Sequence, residues 1–294
     1  MVTEAWVSVI NKNFFRDAPW LNMMTNYDIY INNNKLHIPY QGAEPVVYVN
    51  NNVYPLAVVR LPDGEVVITM DKYETQPSFL VDPEVSELSY NAMESDMGKH
   101  RTALVRRTIE RAAYMVAPAG NTAPAPILDA TGADDGNGRK RLTLQDLSRG
   151  DLLLTNMEIP SGDRCLVLST QHCDDIRLED EGRFNQLMDH KADPTKGPVP
   201  IYGWNVWVDQ DHVHYNMTSA AKLPQGAIPT AGESAASFFW HKSCMGRGKT
   251  PIKLKFDPNA VQFSGVMANA NMRYQTFPTR KDAIGTGCFR SGAA

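Results

Sequence analysis

The chain of 294 residues contains no apolar run near the ~18 residues that a membrane-crossing helix requires. No membrane is therefore expected among its partners. Its opening, Met1-Val-Thr-Glu-Ala-Trp6, lacks the basic start, apolar centre and small-residue cleavage site of a secretion signal. Cysteine is scarce. Cys165, Cys173, Cys244 and Cys288 show no C-x-x-C spacing, which argues against a zinc finger or a disulfide framework and for reduced thiols in a cytosol. An excess of bases is also missing: 33 acids against 29 bases leave a net charge of −4. A dedicated nucleic-acid binder usually carries a basic surplus, so any contact with DNA should be weak. No internal repeat and no low-complexity tract occur.

Some motifs suggest chemistry. Ser243-Cys-Met-Gly-Arg-Gly-Lys-Thr250 ends like a phosphate-binding loop. Such a loop must lead into a helix, whereas Pro251-Ile-Lys-Leu-Lys-Phe256 alternates with a strand period. The segment is expected to be a glycine-containing loop between two strands. His212 and His214 could begin a metal site, with Asp209 or Asp211 as a third ligand. His241 and Cys244 could be a base and a nucleophile. Solvated and buried structural roles are the simpler readings of both, because no second ligand pair stands at zinc spacing. The aromatics Tyr202, Trp204 and Trp207 are expected on a strand, packed in the core. No catalytic constellation assembles, so neither an enzyme nor a cofactor or metal is expected.

What is present is shape, and the class is α+β. Residues 1–34 mix asparagines with spaced aromatics and should lie across another surface. Pro55–Leu61 and Glu65–Met70 flank Pro62-Asp-Gly64, which suggests a β-hairpin with two apolar faces. Residues 85–115 read as a long helix. Met93, Met97, His100, Leu104, Thr108 and Ala112 recur at three and four. Acids come early and bases late, as the helix dipole favours. Gly98 weakens it by about 1 kcal/mol. Thr143 should cap a helix over 144–155. Arg164–Ser169 reads as a buried strand and Gln171–Asn185 as a short helix. Val199–Val208 reads as a strand pair, and 271–288 as strand, turn and strand.

In that order the elements resemble the HK97-type major capsid proteins of tailed double-stranded DNA bacteriophages. "ELSYNAMESDMGKHRTALVRR" (87–107) resembles the start of the family's spine helix. "IPSGDRCLVLSTQHCDDI" (159–176) and "GRFNQLMDHKADPTKGPVPIYGWNVWVD" (182–209) resemble its axial domain, as does "ESAASFFWHKSCMGRG" (233–248). "MRYQTFPTRKDAIG" (272–285) resembles its closing peripheral strands. The resemblance implies an N-terminal arm (1–34), an E-loop (35–76), a peripheral domain with the spine helix (77–118 and 257–294) and an axial domain (119–256). It implies hexamers and pentamers tiling an icosahedral shell, assembled in the bacterial cytoplasm and found in the virion. The implied partners are other copies of the chain, a separate scaffolding protein, a portal, decoration or head-fibre proteins, and packaged DNA held by weak non-specific contact. Arg60, Glu65, Asp71 and Lys72, placed on the hairpin, are the expected inter-subunit ion-pairing residues. No covalent crosslink is expected, because no acceptor and acid match. The alternatives are an encapsulin-type shell and, from another class, a metal- or Cys/His-dependent hydrolase.

Overall fold

The clearest periodicity produces the longest element. In a computed structural model, helix α1 runs from Asp82 to Val116, about 50 Å at 1.5 Å per residue. The structure describes residues 18–294, except 32–33, 41, 43–44, 53, 62, 193–196, 261–264 and 281. Most of the expected N-terminal arm, Pro62 of the expected turn and the side chain of Met93 lie outside the described residues. Of the expected helix face, Met97, His100, Leu104, Thr108 and Ala112 are all buried. Glu110 pairs with Arg107 at 2.9 Å and Arg106 at 4.0 Å.

α1 packs on a six-stranded sheet. Its main path is β1 (Thr25–Asn26), β12 (Met245–Lys249), β14 (Gly265–Pro278) and β13 (Lys253–Ala260), and β4 (Asp71–Glu74) and β5 (Ser78–Val81) also pair with β14. A seven-stranded sheet runs β6 (Ile127–Asp129), β15 (Thr286–Arg290), β11 (Glu233–His241), β7 (Arg164–Leu168), β9 (Trp204–Val208) and β8 (Val199–Ile201), with β10 (His214–Asn216) on β11. A separate ribbon joins β2 (Lys35–Tyr40) to β3 (Gly64–Thr69).

Strand alternation sorts the seven-stranded sheet into two cores. Cys165, Val167, Phe238 and Trp240 face the first core, with Trp20, Tyr274 and the α1 face. Leu166, Leu168, Phe239 and Phe289 face the second, under helices α2 (Leu144–Asn156), α3 (Thr170–Glu179) and α4 (Glu181–Ala192). Because both faces of β7 are covered, all five of its residues are buried. Thr143 caps α2 in a reciprocal capping box with Asp146.

Three expectations need correction. The segment Met245-Gly-Arg-Gly-Lys249 is a strand and not a loop. Its glycines answer to packing, since a Cβ on Gly246 would come within 2.6–2.7 Å of the Phe277 and Tyr27 rings. The helix expected over 171–185 is two helices, broken at Asp180, which takes an extended conformation. Met245–Lys249 lies in the six-stranded sheet and Thr286–Arg290 in the seven-stranded one, so the chain crosses between the sheets more than once. Tyr202 is not on a strand. It forms, with Gly203, the two-residue turn joining β8 to β9, while Trp204 is buried as expected.

Two cations tie elements together, the first within the seven-stranded half and the second across the halves. Arg164 is fully buried, and its guanidinium reaches Asp151 Oδ1 at 2.5 Å and the carbonyls of Asp151, Pro160 and Ile159. It thereby ties β7 to α2 and to the loop between them, and its own buried charge is satisfied. Lys222 Nζ donates to the carbonyls of Tyr114 and Ala117, the latter at 2.7 Å, and lies 3.6 Å from the Tyr114 ring centre. A cation at a helix C-terminus opposes the dipole there.

Candidate assembly surface

The ribbon β2–β3 is amphipathic by construction. Leu36 and Ile38 alternate inward, and pack with Tyr27, Ile68 and Phe277 over one end of the six-stranded sheet. His37 and Glu65 pair on the opposite face. This corrects the expected hairpin. The partner of β3 is Lys35–Tyr40 and not Pro55–Leu61, which forms no strand. Lys35–Tyr40 has a buried surface to lie on. Pro55–Leu61 has none, because Val58 is 100% exposed and Val59 70%.

The chain between β2 and β3 forms an arm. Gly42 N–H donates to Asp63 Oδ1 at 3.3 Å across its base. Beyond that point Val46, Val47 and Val49 are 75–82% exposed, and Tyr48, Tyr54 and Leu56 are also exposed. Pro45-Val-Val-Tyr-Val49 was not singled out in the sequence, although its uninterrupted apolar run is the signal that could have found it. Exposed apolar surface of this kind is a mark of interaction sites.

The four ion-pairing candidates fall in two places. Arg60 lies on the arm, is exposed and makes no ion pair among the described residues. Glu65 is on the ribbon. Asp71 and Lys72 are not on the hairpin but on β4, within the six-stranded sheet. Three of the four find partners in their own chain: Glu65 with His37, Asp71 with Arg111 at 3.1 Å, and Lys72 with Glu74 at 2.6 Å.

The histidines and cysteines do not converge. His241 Nδ1 bonds Ser243 Oγ at 2.7 Å and its Nε2 meets the Gly162 carbonyl at 2.8 Å, so both ring nitrogens are engaged away from Cys244. Burial pushes the Cys244 thiol up, the opposite of an activated nucleophile. His212 Nε2 lies 3.4 Å from Asp209 Oδ2, an oxygen that also accepts from the Trp20 indole at 2.6 Å. Burial acts to raise the Asp209 carboxyl, and the contacts of His212 and Trp20 outweigh it and hold the group below its usual range. Among the described residues no three His, Cys, Asp or Glu side chains form a metal-binding group.

No protein-family model matches the chain, and no curated protein does. Solved structures do match. The capsid of Ralstonia phage GP4 aligns at TM-score 0.68 and 10% identity, over 92% of this chain and 87% of that one. A structure of Mycobacterium phage Che8 aligns at 0.61 and 14%, over 92% and 90%. A virus-like particle from Pyrococcus furiosus aligns at 0.59 and 10%, over 98% of both chains. The fold is that of phage capsid proteins. It agrees with the α+β, HK97-type architecture expected from the order of elements, with the arm, ribbon, long helix and two sheets in place.

Proposed function

We propose that this chain is the major capsid protein of a tailed bacteriophage, a non-enzymatic subunit that assembles into hexamers and pentamers of an icosahedral head. The observation that carries this reading is the arm between β2 and β3. Its valines and tyrosines stand in water in the single chain, and only another surface can cover them. Burying apolar area contributes about 25 cal/mol per Å², and in a shell every subunit both gives an arm and receives one.

In this reading the N-terminal residues and the arm reach neighbouring copies. The six-stranded sheet with α1 is the peripheral domain, and the seven-stranded sheet with α2–α4 is the axial domain facing the capsomer centre. Arg60, at the arm, is the strongest of the four candidates for an ion pair between copies. Glu65, Asp71 and Lys72 would have to exchange or share their present partners. The head would assemble in the bacterial cytoplasm with a separate scaffolding protein and a portal, and could carry decoration or head-fibre proteins outside.

Negative-stain electron microscopy of the purified chain, alone and with a scaffolding protein, tests the reading. Shells, tubes or rings are expected, and nuclease-protected DNA within particles recovered from infected cells. A chain that stays monomeric at high concentration beside its scaffold refutes it. Particles filled with protein cargo and devoid of DNA would establish the encapsulin-type shell instead.

A further inference from the structure

The charge of the chain is unevenly placed. Between Met97 and Val116, α1 carries Lys99, Arg101, Arg106, Arg107 and Arg111 against the single acid Glu110. The local balance is 5 − 1 = +4, in a chain whose total is −4. Arg111 is directed inward, to Asp71 at 3.1 Å and Gln225 at 3.4 Å. Lys99, Thr102, Ala103, Arg106 and Arg107 are exposed, and they share one flank of the helix opposite the buried face of Leu104, Thr108 and Ala112. Lys99 and Arg106 are seven residues apart, about 10 Å along the axis and almost in line. The side chains of Arg106 and Arg107 are 75% and 66% exposed, and they share Glu110 between them. One carboxylate therefore offsets only one of the two guanidiniums.

The chemistry of the flank selects its partner. Protein interfaces are anchored by aromatic and apolar side chains and are depleted in lysine. Among the described residues, no large apolar side chain is exposed between Phe79 and Leu152. Single-stranded nucleic acid is gripped by stacking on aromatic rings; the flank itself carries none, and Tyr73, which borders it across a cleft, is half-buried. Lysine, arginine and threonine without aromatics are the groups that contact duplex phosphates and read no sequence.

We propose that the Lys99–Arg107 flank of α1 is a sequence-independent contact for the phosphate backbone of double-stranded DNA. The inference deepens the capsid reading, on which it rests for the source of the DNA, by assigning which surface of the subunit meets the packaged duplex. Three phosphate contacts give a slope of about −2.7 in log affinity against log salt, so raising salt from about 50 to about 200 mM weakens binding about 40-fold.

The test is fluorescence anisotropy of the full, unassembled chain with a short random-sequence duplex across that salt range. Salt-sensitive binding is expected. The triple variant Lys99→Gln/Arg106→Gln/Arg107→Gln should lose most of the affinity and of the salt slope, while Arg183→Gln, at an exposed cation on α4, should bind as the parent does. Circular dichroism melting confirms that the triple variant remains folded. If that variant binds DNA like the parent, or the parent shows no binding at low salt, the inference fails. If an acidic polyglutamate peptide of equal charge binds the flank as tightly as the duplex, the site is a dock for acidic protein and the DNA assignment is overturned. Electron microscopy of the same preparations separates the two readings. Particles without salt-sensitive DNA binding overturn this inference and leave the capsid reading standing, whereas DNA binding that the triple variant loses supports the flank even where no particle forms.

Discussion

Replacing the arm valines by threonine removes hydrophobicity while keeping shape and extended-chain preference. Val46, Val47, Val49, Val58 and Val59 are 70–100% exposed in the single chain, so the substitutions break no contact within it. Each Val→Thr change is worth roughly 1 kcal/mol where the side chain becomes buried. Successive side chains of an extended segment point to opposite faces, so a neighbouring surface covers about half of the five. The expected loss is then about 2–3 kcal/mol per arm contact, which weakens each contact about 30- to 150-fold. The critical concentration for assembly, followed by light scattering and electron microscopy, should rise in that proportion. The melting of the unassembled chain should move by less than about 0.5 kcal/mol. An unchanged critical concentration would refute the arm as an interface. A large loss of monomer stability would show instead that the valines serve their own chain.

Three further outcomes follow from the packing. His172 is held between Ser237 Oγ at 2.7 Å and Ser291 Oγ at 3.0 Å, and burial lowers its pKa from 6.5 to about 4. The unfolded chain therefore takes up a proton between pH 6.5 and about 4 that the folded chain refuses. Stability is full above that window and falls by about 3 kcal/mol across it as pH drops; urea titrations should show this, and His172→Gln should remove it. Gly98 has no atom within 4 Å of an added Cβ, so Gly98→Ala should stabilise the chain by about 1 kcal/mol in thermal melting; destabilisation would mean that the helix must bend there. Tyr202 takes φ +47° beside Gly203 at +81°, a turn that favours Asn at its first position. Tyr202→Asn should raise stability by about 1 kcal/mol, and a lower melting temperature would show that the exposed ring is held by its own chain.

The parts legible in the sequence were those that depend on near neighbours. The period of α1, the Thr143 cap and the alternation of Arg164–Leu168 are local, and each sits where the pattern put it. The errors share one cause. Glu65–Met70 carries a good strand pattern, but only the buried patch under Leu36 and Ile38 decides which segment pairs with it. Gly246 reads as loop chemistry until the Tyr27 and Phe277 rings, distant in sequence, occupy the space of its side chain. Asp71 reads as a free acid until α1 brings Arg111 beside it. At the candidate surface, the apolar arm was legible in composition but not in its arrangement. The cationic flank was legible as a run of bases, and which of them face outward required the helix to be docked.

Lys222 links these parts in a mechanical sense. It sits among the loops beside β10, in the half of the molecule built on the seven-stranded sheet, and grips the final turn of a helix that belongs to the other half. The helix therefore has one end clamped to the seven-stranded half, while Met97 and His100, on either side of Gly98, hold it against the six-stranded half. A rod held in this way transmits torque. Load taken up by one sheet is therefore carried to the other along α1, and the two halves stay joined at both ends of the rod.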